Sequence, residues 1–403
     1  MRTIETPLDL VRKLAPEGPV ACIRPELVHR AAAWFQENFE GDVLYAVKAN
    51  PSPWAIDAVY NAGVRWFDVA SEAEIALIDD RCPGAQMAFM HPVKSRRAIR
   101  RAYVDYGVRV FALDCEAELQ KIIEETGGPE DLTLVVRVAV ANTAASLPLV
   151  GKYGASIQDA PALLRAARQY ADELGVSFHV GSQCMEPDAY RAAMQHVSSA
   201  ILQAGVTVDI VDVGGGFPTP YPGMTPPPLS AYLDVIHNAF EDMPVLMNAD
   251  LWCEPGRALV AEGASILTRV EQVKGDKIYL NDGAYGNLFD AAHCNWPFPL
   301  RTHRAEVAGL AETRAFTVYG PTCDSIDVMG TLWTLPADIA EGHYIEIGLL
   351  GAYGTAMQTQ FNGFGETLDV EVKDAPFATN FAPPQPAPAL PRFTAANNNT
   401  AKR

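Results

Sequence analysis

Val43-Leu44-Tyr45-Ala46-Val47-Lys48-Ala49-Asn50 is a run of five apolar residues ended by a single amine. A short, fully apolar run of this kind fits a strand buried on both faces, as in a parallel sheet. Seven more runs follow, at 64–69, 86–89, 108–113, 132–138, 176–180, 208–213 and 245–252. Between most of them lie segments with helical spacing, at 53–62, 71–79, 115–125, 160–174, 187–204 and 230–240. Strands alternating with helices imply a parallel sheet covered on both sides, and eight repeats predict a closed, TIM-like (β/α)8 barrel, so the fold class is α/β. An open doubly wound sheet is the alternative. It is disfavoured because no Gly-x-Gly-x-x-Gly opens a first helix.

The barrel is expected over residues 21–258. Beyond it the texture changes to β-rich segments at 264–273, 277–281, 315–319 and 344–347, joined by Gly- and Pro-containing loops. These predict a second, all-β domain (a β-sandwich or barrel) over 259–375, which residues 1–20 are expected to join. Residues 376–403, rich in Pro and Asn, lack a periodic apolar face and are expected to form a flexible tail.

With 49 acidic and 31 basic residues the net charge is −18, which opposes binding to nucleic acid or to anionic membranes. Seven scattered cysteines with no Cys-x-x-Cys pair read as reduced thiols. The N-terminus carries acids and a proline where a signal peptide needs an apolar run, and no later stretch is apolar enough to span a membrane. A cytoplasmic location is expected.

Catalytic groups of such a barrel come from the carboxyl ends of its strands. Read there, the runs are followed or ended by Lys48, Asp68, Arg137, His179, Gly214-Gly215-Gly216 and Glu254. A strand-end lysine commonly just extends to water. With its pKa lowered by desolvation or a nearby cation, it can instead attack an aldehyde, and pyridoxal 5'-phosphate is the obvious one. The three glycines fit either a tight turn or a phosphate cradle. Glu254, in Glu254-Pro255-Gly256-Arg257, is either the partner of Arg257 or the carboxylate that keeps a pyridine nitrogen protonated. His179, in His179-Val-Gly-Ser182, is either a satisfied core residue or a flat ring over a cofactor.

Tyr-Ala-Val-Lys-Ala-Asn, His-Val-Gly-Ser-Gln, Asp-Val-Gly-Gly-Gly-Phe-Pro, Glu-Pro-Gly-Arg, Gly-Pro-Thr-Cys-Asp-Ser-Ile-Asp and Gly-Ala-Tyr-Gly occur in this order over about residues 20 to 365. Together they resemble the pyridoxal-phosphate-dependent ornithine/lysine decarboxylases with an alanine-racemase-like fold. The resemblance implies that Lys48 holds the cofactor covalently and that His179 stacks on it. Glu254 would pair with its ring nitrogen, while Ser182, Gly216 with neighbouring amides, Arg257 and Tyr353 would grip its phosphate. Asp68 and Arg137 match positions lining the cofactor and the lysine. It further implies a homodimer with shared sites, Cys323 and Asp324 entering the partner's barrel, and Lys152 pairing with Asp327 across the interface. Cys323 is the candidate acid for reprotonation, since a thiol has a suitable pKa.

In the ornithine branch an acidic residue after Asn-Asp-Gly-x-Tyr-Gly takes the distal ammonium, which points to Asp290, with Phe289 beside it and Asp324 as a second carboxylate. L-Ornithine decarboxylation to putrescine is thus the first expectation. Phe289, where tyrosine is common, and Ser325, where glycine is common, leave lysine or dual lysine/ornithine turnover open. Cys323-Asp324 argues against diaminopimelate. A catalytically silent, regulatory homologue is the reading from a different class, and the joint presence of Lys48, His179, Glu254, Cys323 and Asp324 speaks against it.

Overall fold

The structure, a computed structural model, describes residues 2–381 apart from 142, 143, 149, 150, 246, 248, 295 and 305–311. The strands Asp42–Ala46, Trp66–Val69, Gln86–Phe89, Val110–Leu113, Thr133–Arg137, Glu173–Ser177, Ile210–Asp212 and Asp250–Cys253 form a closed barrel in chain order. Every neighbouring pair is parallel, and the ring closes through Trp252 opposite Asp42 and Cys253 opposite Val43.

The apolar runs are continuous because both faces of each strand are dry. Leu44, Ala88, Val110, Ala112, Val135, Ile210 and Trp252 fill the barrel interior as one cluster. Their neighbours Tyr45, Phe67, Phe89, Phe111, Leu134 and Val211 point outward into the main core beneath the helices. Each such side chain contributes about 1.5–3 kcal/mol by leaving water.

Helices separate the strands, with two departures from the sequence-based expectation. The expected helix over 160–174 stops at Arg168. There Arg168 Nη1 pairs with Asp209 at 2.6 Å, and the Asp172 N–H donates to Leu132 O, drawing the chain into the sixth strand at Glu173. Helices Pro25–Asn38 and Arg96–Tyr106 were not anticipated. The second buries Ile99 and Ala102 beneath a row of arginines, too narrow an apolar face to stand out.

The remaining sheet has nine strands, and its spine is Ala264–Lys274. That strand pairs antiparallel with Val20–Ile23, Tyr344–Ile347 and Lys277–Leu280. Val20–Ile23 also pairs parallel with Leu368–Val372, which in turn holds Arg2–Ile4. The described part of the C-terminal segment lies against the protein. The Arg301 guanidinium sits 4.3 Å from the Phe377 ring, and Phe381 is buried against Trp34. The rest of the expected tail, 382–403, lies outside the described residues. Among the described residues no helix is long and apolar enough to cross a membrane.

Candidate active site

After Ala46 the chain turns through one 3-10 turn, Val47–Ala49, which lifts Lys48 into the barrel mouth. The turn is held from all sides. Tyr45 Oη donates to Asn50 O at 2.9 Å, Asn50 Nδ2 to Gly351 O at 2.8 Å, and the Tyr353 N–H to Ala49 O at 2.9 Å. Tyr353 itself adopts a left-handed φ of 53°, a conformation costly for a bulky residue, which fixes its ring beside Arg257 at 4.8 Å.

The Lys48 amine pairs with Asp68, which is buried at the end of the second strand. Burial pushes the amine's pKa down, but the charges of Asp68 and Glu254 outweigh it and the net shift is upward. The sequence-based expectation of a lowered pKa is therefore corrected. The adjacent group is an anion rather than a cation, so Lys48 rests as an ammonium.

His179 lies two residues past the sixth strand. Its Nδ1 accepts the Gly181 N–H at 2.8 Å, so a neutral ring carries its proton on Nε2. Burial, reinforced by Arg137 and Lys48, lowers its pKa to about 3, leaving an uncharged plane at neutral pH.

Gly214 and Gly216 have φ of 68° and 111°, and a Cβ on them would lie 2.3 Å from Phe178 O and 2.5 Å from Gly181 O. A Cβ on Gly215 would lie 2.6 Å from Glu254 O. This stretch must therefore be glycine. Pro255 supports it from behind, its carbonyl accepting the Ala46 N–H at 3.3 Å, while Gly256 passes close to Ala49.

Glu254 is buried, and its Oε1 has no hydrogen-bond partner among the described residues; the same holds for Oδ2 of buried Asp212. Burial, then Asp212 and Asp68, raise the Glu254 pKa, and burial raises that of Asp212 to about 6. Two carboxyl groups crowded in a dry place call for a cationic N–H donor. Arg257 does not supply it. Its Nη1 donates to Asp290 Oδ2 at 2.6 Å and to Tyr221 Oη at 2.9 Å, and its Nε to Ser182 Oγ at 3.3 Å.

Lys48, Asp68, Arg137, His179, Ser182, Gly215, Gly216, Glu254, Gly256, Arg257 and Tyr353 line one cavity of about 470 Å³. Phe289, Asp290, Cys323 and Asp324 do not. Asp290, expected to meet the substrate, is buried in this chain behind Arg257 as that residue's counterion. Phe289 stacks on His293 at 4.2 Å. Cys323 is exposed on the β sheet's loop, its N–H donating to Asn362, and Asp324 accepts from Tyr285 Oη at 2.6 Å. Lys152 and Asp327, expected to pair between two copies, lie in different surroundings within one chain. Asp327 is buried within its own chain, accepting from Ala284 N, Thr322 N and Thr322 Oγ1, while Lys152 lines the cavity. Sequence reasoning gave no role to Asp212, although the residue ends a strand directly before the glycines. It missed Tyr221, His91 and Tyr153, which no local pattern marks.

Pyridoxal phosphate fits these residues. The unpartnered Glu254 oxygen would take a ring N–H, the glycine loop with Ser182 and Arg257 would take a phosphate, and His179 would offer a flat neutral face in the cavity that Lys48 enters.

Residues 24–261 match the profile of the family described as pyridoxal-dependent decarboxylase, pyridoxal binding domain. The chain is 30% identical to the lysine/ornithine decarboxylase of Selenomonas ruminantium over 343 residues, which cover 83% of this chain and 84% of that protein. It is 31% identical to the ornithine decarboxylase of Caenorhabditis elegans over 374 residues, 86% and 85% of the two chains. The fold superposes on the arginine decarboxylase of Paramecium bursaria Chlorella virus bound to agmatine with a TM-score of 0.79 at 26% identity, covering 90% of this chain and 99% of that one.

Proposed function

Because the chain belongs to the pyridoxal-dependent decarboxylases, we propose that it removes the α-carboxylate of a diamino acid, L-ornithine in the first place, giving putrescine for polyamine synthesis in the cytoplasm. The observation that carries the decarboxylase reading is the unpartnered carboxyl of Glu254, held dry in the cavity that Lys48 enters. Pyridoxal phosphate, when bound, supplies an electron sink for the pair left behind as CO2 departs.

The residues divide the remaining work. Lys48 would hold the cofactor's aldehyde carbon, and Asp68 accepts from the Lys48 ammonium. Glu254, with Asp212 beside it, would face the ring nitrogen and keep a proton on it. His179, neutral, limits the plane of the ring without competing for charge. Arg137 adds positive charge at the same wall. Backbone amides of the glycine loop, Ser182 Oγ, Arg257 and Tyr353 hold the phosphate.

The α-carbon must then receive a proton, and the one candidate thiol, Cys323, lies outside its own chain's cavity. We assign it to the cavity of a second copy, together with Asp324 as the receiver of the distal ammonium. Ile326, Leu332, Phe361 and Phe364 support this reading, being large apolar residues exposed on the same chain. The negative charge of the chain favours a cationic substrate.

Lysine turnover is the second reading. The Selenomonas relative is named for both substrates. The test is CO2 release by the loaded protein from ornithine, lysine, arginine and diaminopimelate in parallel. Ornithine should give the highest kcat/KM, and turnover of none of the four would overturn the proposal.

A further inference from the structure

We propose that Lys94 is a positioning residue for the reaction, its side chain clamping the cavity wall formed by residues 90–92 to two neighbouring elements of the barrel mouth. The inference rests on the decarboxylase reading for its effect on turnover, but the clamp itself is a matter of geometry.

Lys94 follows the third barrel strand, and its side chain is fully buried, touching neither the cavity nor solvent. Nζ donates to His91 O at 2.9 Å and to Ala112 O at 2.5 Å, and lies 3.1 Å from Glu118 Oε1. An ammonium has three N–H groups, and here it meets three acceptors. They belong to three elements: the loop after the third strand, the fourth strand Val110–Leu113 and the helix Glu116–Thr126. Glu118 Oε1 also accepts the backbone N–H of Lys94 at 3.0 Å, and Lys121 Nζ donates to Lys94 O at 2.5 Å, so the residue is held at both ends.

What the clamp holds is part of the site. Met90, His91 and Pro92 line the cavity, and the His91 ring stands edge-on to Tyr153, 5.3 Å away, which lines the same wall. Tyr153 is steadied in turn by the Gly154 N–H, which donates at 2.9 Å to Oδ2 of Asp114, the residue directly after the fourth strand. A lysine kept dry only for stability is a poor choice, since a well-packed apolar residue serves as well. A lysine whose three bonds converge on strand ends beside a cavity has a reason to be there.

The charged groups facing Lys94 are Glu118, Lys121, Asp114 and His91. Burial, reinforced by Lys121 and opposed by Glu118, lowers the amine's pKa to about 8. Above that pH it keeps two N–H groups for three acceptors, and the wall loosens.

The experiment compares kcat/KM of the loaded enzyme across neutral and alkaline pH for wild type, Lys121→Met, Glu118→Gln and Lys94→Met. Cofactor affinity is read in parallel by titrating stripped protein with pyridoxal phosphate. Wild type should show an alkaline fall in kcat/KM. Lys121→Met, a change at the partly exposed rim, should move that fall to higher pH, and Glu118→Gln should move it to lower pH. Lys94→Met should lower kcat/KM about fivefold or more at every pH and abolish the fall. A fall that stays in place in both Lys121→Met and Glu118→Gln overturns the clamp, as does full kcat/KM in Lys94→Met. Should Lys94→Met fail to fold, the opposite shifts of the other two variants decide. If wild type turns over no diamino acid, the function reading fails, and the pH dependence of cofactor affinity in the same variants still decides the clamp.

Discussion

At the barrel mouth Asp68, Asp212 and Glu254 are buried close to Lys48 and Arg137, and one carboxyl oxygen each of Asp212 and Glu254 has no partner among the described residues. On the β sheet the chemistry is reversed: Cys323 is exposed and Asp324 half-buried, within a loop flanked by exposed Ile326. The first region holds charge where water cannot reach, so each group's state is set by its neighbours. The second holds a thiol and a carboxylate away from the cavity of their own chain, Asp324 accepting from Tyr285 Oη. On the proposed reading, a concave half without an acid for the α-carbon and a half without a cofactor cradle would complete each other between two copies.

The largest effect expected from attacking this contrast is at Lys48. Lys48→Ala should remove nearly all turnover, about four orders of magnitude or more, together with the visible absorbance of the bound cofactor. A borohydride-reducible adduct formed instead on Lys152 would show that the mouth has a second usable amine.

Glu254→Gln keeps the shape but removes the charge facing the ring nitrogen. It should cost about 10²- to 10³-fold in kcat, the scale of losing one preorganised electrostatic contact. The stripped protein should be no less stable, since the buried carboxyl lacks a partner there. Thermal melting of the stripped variant checks this.

Asp290→Asn separates the two roles open to that residue. Losing a charge-assisted bond to Arg257 is worth about 1.5–3 kcal/mol, so cofactor affinity should fall about 10- to 150-fold. At saturating cofactor the KM for ornithine should stay the same. A raised KM with intact cofactor binding would return Asp290 to the substrate.

The smallest effect concerns a buried carboxyl that, unlike Glu254, is matched by protein. Glu262 Oε1 accepts the Asn380 N–H at 2.7 Å, and burial still raises its pKa to about 7. An unfolded glutamate titrates near about 4.3, so the folded state binds the proton more tightly. Its contribution is fully present below the unfolded pKa and is lost as pH rises through about 7. Melting across this window should show wild type losing on the order of 1–3 kcal/mol relative to Glu262→Gln, whether or not cofactor is bound.

The barrel was legible because a strand buried on both faces cannot disguise itself: Leu44 faces the interior and Tyr45 the helices, and both must be apolar. Helix Arg96–Tyr106 was not, because two buried residues suffice to seat it. Residue 174 misled for a related reason, its leucine continuing the helical spacing of Leu163, Leu164 and Ala167 although it belongs to a strand. In the site, strand ends revealed Lys48, His179 and Glu254, since the architecture itself points them inward. Pairings stayed hidden. Arg257 meets Asp290 across 33 positions, and Asp327 turns to its own loop, choices made by packing that no spacing encodes. The direction of the Lys48 shift was misread for the same reason, since it depends on which charge touches the amine.

The central claim is that one working site needs two chains, and mixing variants tests it most directly. Lys48→Ala and Cys323→Ala proteins, each nearly inactive alone, should regain ornithine decarboxylation when their subunits exchange, because one site per mixed dimer then holds both Lys48 and Cys323. Demonstrated exchange with no recovery of activity would contradict the account.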